Sequence, residues 1–229
     1  MELIIIIIVA IISIVIISIL MLANIKEMEK IATDKELNII SEKYPSNIEI
    51  CKEILNKLNN SNVKIEENDK SDATMYIAIS NKILIGNTYK SFTRIQTMIH
   101  ECLHSIQKRS LLIFNFIYSN IYLLYFIIIC ILAILNRLPN PILFSDILLI
   151  LSFIYYVVKI YLENDAMIKA EFITIDYIKE KNVVSNEEIK KIENGIKKIN
   201  EGGLKGTNCQ IFVEIMIKVI IFNVLALIF

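Results

Sequence analysis

Thr97-Met98-Ile99-His100-Glu101-Cys102-Leu103-His104-Ser105-Ile106-Gln107 holds both histidines of a 229-residue chain. Residues four apart share a face of an α-helix, so His100 and His104 can reach one metal ion. Neutral imidazole nitrogens suit zinc, and the carboxylate of Glu101 beside them can act as general base on a zinc-activated water. The flanking residues are uncharged. Ile95, Ile99, Cys102, Leu103 and Ile106 form an apolar back face on which such a helix would be buried. Cys102, two residues from His100, points to another face and reads as packing. Arg94 and Gln107 read as solvated or as neighbours of the site, and neither is assigned a role. The competing reading is a surface helix with two histidines and no metal.

A catalytic zinc takes three protein ligands and leaves one position open. The chain has no third histidine, so the remaining ligand must be acidic. Glu163, in Glu163-Asn164-Asp165-Ala166, is the leading candidate, with Asp165 and Glu171 in reserve. Small Ala166, one turn on, would let this helix approach the histidine helix closely. Glu163 could instead be an acid favoured at a helix N-terminus.

The placement of Glu163 follows from hydropathy. The chain is 55% hydrophobic with mean hydropathy +0.57, high for a soluble protein. Apolar residues cluster in 3–23, 111–135, 142–162 and 211–229, each close to the ~20 residues that cross a bilayer as a helix. Only Glu2 precedes the first run, which is too long for a signal-peptide core, so it reads as an uncleaved anchor. Residues 136–141 are too few for anything but a tight helical hairpin. The polar regions 24–110 and 163–210 must then share one side of the membrane, which puts Glu163 on the side of the histidines. Those regions hold 21 of the 24 lysines and arginines, and the positive-inside rule places them in the cytoplasm. Glu214 and Lys218, four apart in the last span, can pair on one helix face.

Within 24–110 the pattern is α/β. It predicts a helix at 47–58, a strand at 63–66, a hairpin of 75–79 with 83–86, and a helix at 91–108. Region 163–210 reads as helices at 163–181 and 186–200, followed by a flexible glycine-containing linker at 201–206. Formal net charge is zero and no basic block stands out, so nucleic acid is not an expected partner. Cys51, Cys102, Cys130 and Cys209 form no C-x-x-C pair, and reduced thiols are the simplest expectation.

His100-Glu101-Cys102-Leu103-His104-Ser105-Ile106-Gln107 resembles the HEVGHAIQ-type segment of the bacterial membrane neutral zinc metallopeptidases (YugP-like). Glu53-Ile54-Leu55, Val63-Lys64-Ile65-Glu66 and the stretch 73–89 are similar to that family's helix, strand and hairpin before the motif. Glu163-Asn164-Asp165-Ala166-Met167 resembles its Glu-x-x-Ala-Ser segment. Leu103 stands where the family has glycine, and Asp72-Ala73-Thr74-Met75 lacks the histidine of the corresponding family stretch. The resemblance implies an α+β membrane protein, mostly helical. It would have about four transmembrane helices and a small zincin-like α/β catalytic region at the membrane surface.

Its parts would be an anchor (1–23), the α/β region with the motif helix (24–110), a two-span hairpin (111–162), a helical region with the third ligand (163–210) and a last span (211–229). The implied activity is zinc-dependent peptide hydrolysis of gluzincin type. His100, His104 and Glu163 would hold Zn2+, and Glu101 would be the base. The partners would be the bilayer and a peptide or protein substrate, membrane-associated substrates included. Two other readings compete. One is an intramembrane protease, against which Arg94, Lys108 and Arg109 on the motif helix argue. The other is a catalytically inactive zinc-binding membrane scaffold, in which an intact Glu101 would have no purpose.

Overall fold

The computed structural model describes residues 1–68, 70–71, 73–87 and 91–229, the side chain of residue 23 excepted. Of the segments compared above, Asp72 and positions 88 and 89 lie outside the described residues. The chain is mostly helical with one three-stranded sheet. Its helices are α1 (Glu2–Ala32), α2 (Lys35–Glu42), α3 (Asn47–Lys57), α4 (Arg94–His104), α5 (Arg109–Ile134), α6 (Pro141–Lys181) and α7 (Asn186–Ile228). Four of them, α1, α5, α6 and α7, are long and apolar enough to cross a membrane. The chain divides into two compact units.

The first unit comprises 1–24, 114–161 and 205–229. Its core is built from Tyr122, Ile129, Ala133, Leu148, Ile211, Ile215, Val219 and Phe222. Large apolar side chains cover its outside, from Ile4 to Leu20 on α1 and from Phe116 to Ile131 on α5. A surface of that kind suits lipid and not water. Several interior polar groups are paired, which lowers the cost of placing them in an apolar surround. The Ser145 hydroxyl donates to Asn223 Oδ1 at 2.9 Å, and the Tyr118 and Tyr125 hydroxyls donate to the Leu151 and Phe144 carbonyls at 3.0 Å. Lys218 does not pair with Glu214 as its spacing suggested. Its ammonium lies 5.0 Å from the centre of the Tyr122 ring and 5.8 Å from that of Tyr155, a cation–π arrangement. Glu214 instead accepts from Gln210.

The second unit comprises 25–113 and 162–204 and holds most of both polar regions. Asp34 caps α2 by accepting from the Glu36 and Leu37 amides. Ser46 and Glu49 form a capping box at the start of α3. One face of α3 (Ile50, Cys51, Ile54, Leu55) is buried against α4. The sheet consists of β1 (Lys64–Glu67), β2 (Met75–Ile77) and β3 (Lys82–Ile85), in the order β1-β3-β2. β1 runs parallel to β3 with Ile65 opposite Ile83, and β2 runs antiparallel with Tyr76 opposite Ile83. β2 is therefore an edge strand. The hairpin turns earlier than its sequence suggested, because Asn81 takes the left-handed conformation (φ 48°) and Lys82 already belongs to β3. Gly86 follows β3 where the chain is tightest, since a Cβ there would meet the Ala73 and Ser71 carbonyl oxygens at 2.7 Å.

Three helix boundaries differ from the sequence expectation for one physical reason: hydropathy marks where a helix leaves an apolar medium, not where the helix stops. α1 continues past residue 23 to Ala32 through good helix formers. α6 is one helix from Pro141 to Lys181, with no glycine or proline after its first residue. α7 runs unbroken through 201–206, so the expected flexible linker is helical. Gly202 is buried, and a Cβ on Gly203 would come within 2.8 Å of Met167 Cε. These glycines serve close packing, and that packing overrides their weak helix propensity. The motif helix is also shorter than 91–108, and a turn separates it from α5.

Candidate metal centre

α4 is positioned by its buried back face. Ile95, Met98, Ile99 and Cys102 are fully buried and Leu103 nearly so, in one core with Ile83 and Ile85 of β3, Ile54 of α3 and Ala166 and Ala170 of α6. Ile106, expected on this face, lies beyond the helix end and is exposed. Cys102 packs as expected, against Cys51, whose carbonyl accepts from its thiol. Ala166 is buried in the same core, as the approach of the two helices requires.

The opposite face brings three donor atoms together. His100 Nε2 lies 3.0 Å from His104 Nε2, and Glu163 Oε2 lies 3.5 Å from the first and 3.7 Å from the second. A tetrahedral ion with bonds of about 2.0–2.1 Å has ligand–ligand edges of about 3.3–3.4 Å, within the range of these separations. All three residues belong to the second unit. Among the described residues, this is the one group of His, Cys, Asp or Glu compact enough to hold a metal ion. The reserve candidates stand elsewhere. Asp165 binds Lys169 at 2.6 Å and accepts from Gln107 at 3.0 Å, while Glu171 accepts from Asn200 at 2.8 Å.

Glu101 stands beside the donors and outside their triangle. Its Oε1 is 4.0 Å from His100 Nε2, and its Oε2 accepts the backbone N–H of Tyr76 at 2.6 Å. That amide lies on the edge of β2 not used by β3, so the edge strand holds the carboxylate. Burial pushes the Glu101 carboxyl above its ordinary range, against the pull of His100, His104 and the Tyr76 amide. Burial alone would lower the His104 imidazole, but the Glu163 and Glu101 carboxylates outweigh it and raise the group.

Two residues with no assigned role turn out to be anchored, Gln107 against the site itself and Arg94 at the start of the helix that carries it. Arg94 is buried at the first position of α4. Its Nη1 donates to the Pro45 carbonyl (2.8 Å) and Asn47 Oδ1 (2.9 Å), and its Nη2 to the carbonyls of Ser41 (2.6 Å) and Tyr44 (3.0 Å). Gln107 Oε1 lies 2.9 Å from His104 Nδ1, and its Nε2 donates to the Leu162 carbonyl at 2.8 Å and to Asp165. The partners of Arg94 and the acceptors of the Gln107 N–H groups are tens of residues away in sequence, so nothing local marks those contacts. Behind the site, Gln96 donates to buried Asn200, which donates to Glu171, joining α4, α7 and α6.

No family model, curated protein or solved structure matches this chain. The chemistry of the site therefore rests on its own residues.

Proposed function

We propose that this chain is an integral-membrane zinc-dependent metallopeptidase that cleaves peptide bonds internally, in the manner of the YugP-like family it resembles. The observation that carries the reading is the convergence of His100, His104 and Glu163 at metal-ligand spacing, with Glu101 beside them. His, His and carboxylate donors with one open position are the set a catalytic zinc takes. Zinc held there supplies Lewis acidity, acidifying water and polarising a carbonyl. Glu101 takes the proton of the attacking water and returns it to the leaving amine. Burial raises its proton affinity above that of a free carboxylate, the direction a general base requires. The Tyr76 amide fixes one carboxylate oxygen and leaves the other towards the histidines. The outer edge of β2 lies beside this carboxylate, and because Glu101 already holds its Tyr76 amide, an extended peptide pairing there would have to share or displace that contact. Proline or charge substitutions at Met75 or Ile77 that leave peptide cleavage unchanged would remove that part of the proposal.

The test is zinc content and hydrolysis of an unfolded protein by the detergent-purified chain. Glu101→Gln keeps zinc and loses hydrolysis. Glu163→Ala loses zinc affinity. A wild type that binds no zinc refutes the proposal. One that binds zinc tightly and cleaves nothing leaves the inactive scaffold in its place.

The concentration of lysine and arginine in 24–110 and 163–210 supports a cytoplasmic site. Cys51 is fully buried and cannot report sidedness to a thiol reagent, but Lys190 is exposed. Lys190→Cys should resist an impermeant maleimide in intact cells and react after lysis. Labelling in intact cells would invert the orientation.

A further inference from the structure

We infer that Gln107 is a positioning residue for the metal centre, fixing which nitrogen of His104 faces the ion and tying the end of α4 to α6 on both sides of Glu163. The inference rests on the zinc reading above but is argued from hydrogen-bond chemistry alone. The Leu162 carbonyl can only accept, and so can the Asp165 carboxylate, whose Oδ1 is held by Lys169 at 2.6 Å. Both lie on Gln107 Nε2, at 2.8 and 3.0 Å, so the amide NH2 group must face them and its oxygen must face His104. An amide oxygen is only an acceptor, so His104 Nδ1, 2.9 Å away, must carry a proton. In the neutral ring the lone pair then falls on Nε2, the atom that faces His100 Nε2 and Glu163 Oε2. One side chain thus sets the tautomer of one ligand and spans to the residues flanking another. It spends both N–H groups and its oxygen in doing so.

This arrangement differs from ordinary packing in that its two jobs separate by substitution. Gln107→Met keeps the volume and loses every hydrogen bond. Gln107→Glu keeps an acceptor for His104 but cannot donate to Leu162, and it meets Asp165 with like charge. Losing an outer partner of a ligating histidine lowers metal affinity by about 10–100-fold.

The experiment has two readouts. Zinc affinity is measured by competition with a chromophoric chelator. The His104 tautomer is read from the imidazole 15N signals of the metal-free protein at alkaline pH, where a chain with two histidines gives two sets. The expected result is an Nδ1-protonated His104 in the wild type. In Gln107→Met that preference is lost and zinc binds about 10–100-fold more weakly, with helix content unchanged. Gln107→Glu recovers the tautomer, and Gln107→Ala, which also loses every hydrogen bond, stands in for the methionine variant should that one not fold. An unchanged tautomer and unchanged zinc affinity in Gln107→Met would overturn the inference while leaving the zinc proposal standing. A wild type without zinc affinity would defeat the zinc proposal, and the tautomer measurement would still decide the role of Gln107.

Discussion

Replacing Arg94 by methionine should be the most damaging single change outside the donor set. Arg94 is 4% exposed, and its guanidinium makes four hydrogen bonds of 2.6–3.0 Å to three backbone carbonyls and the Asn47 side chain. Hydrogen bonds to a charged group contribute roughly 1.5–3 kcal/mol each, so the gross loss in Arg94→Met is about 6–12 kcal/mol. Removing the charge also removes its desolvation cost of several kcal/mol. The net expectation is a loss of about 3–5 kcal/mol, the gross hydrogen-bond loss less that desolvation cost. Arg94→Lys keeps the charge and stem but offers a compact ammonium in place of a planar fork. It should lose about 1–3 kcal/mol.

The chain has no tryptophan, so pulse proteolysis across a urea series is the suitable assay. Cleavage should be read within 25–113, with circular dichroism confirming native helix content before urea is added. Because the anchored segment 41–47 joins α2 to α3, protection of α3 should fall in parallel. If Arg94→Met costs less than about 1 kcal/mol, the guanidinium is not the tie between α4 and the α2–α3 corner.

Gly86→Ala should destabilise the second unit by about 1–3 kcal/mol in the same assay, because the new methyl meets two backbone carbonyls that cannot swing aside. A neutral outcome would show that the Ser71 and Ala73 carbonyls yield. Glu49 gives a pH test. The Ser46 amide and then the Ser46 hydroxyl donate to its carboxylate and hold it below its ordinary value of 4.5. A carboxyl lowered by folding stabilises the fold fully above its unfolded value, and that contribution disappears as the pH falls through the folded value. Glu49→Gln should therefore flatten the acid limb of stability below about pH 4.5, and unfolding midpoints that fall in parallel with the wild type would refute it. Chelation offers a third check. At a free zinc concentration 100 times Kd, the metal adds about 2.7 kcal/mol to unfolding, so EDTA should lower the melting temperature of the wild type and leave that of Glu163→Ala unchanged. Equal shifts in both would detach Glu163 from the metal.

The donor set was legible in the sequence because metal chemistry restricts residue type and helix geometry restricts spacing. His100, Glu101 and His104 needed only a helix, and Glu163 needed the hairpin implied by the short segment 136–141. The apolar helices were legible from hydropathy and the hairpin from its two β-rich runs. What stayed hidden came from long-range partners. Arg94 and Gln107 look like ordinary polar residues until Ser41, Tyr44, Leu162 and Asp165 are placed around them. Glycines at 202, 203 and 206 signal flexibility locally, but packing against residues such as Met167 keeps that stretch of α7 helical. α2 leaves no periodic apolar signal because it has only eight residues, although Asp34 is a sound N-cap.

The separation of the donors along the chain also orders events during synthesis. His100 and His104 leave the ribosome roughly sixty residues before Glu163. At roughly 5–20 residues per second that interval is about 3–12 s. Throughout it the nascent chain offers two imidazoles and no carboxylate from α6. α5 and the apolar first half of α6 must both be made before the third donor exists. On the zinc reading, the newborn histidine pair would be an incomplete ligand set, and firm metal capture, with any hydrolytic competence, would be postponed until the hairpin of α5 and α6 has been translated.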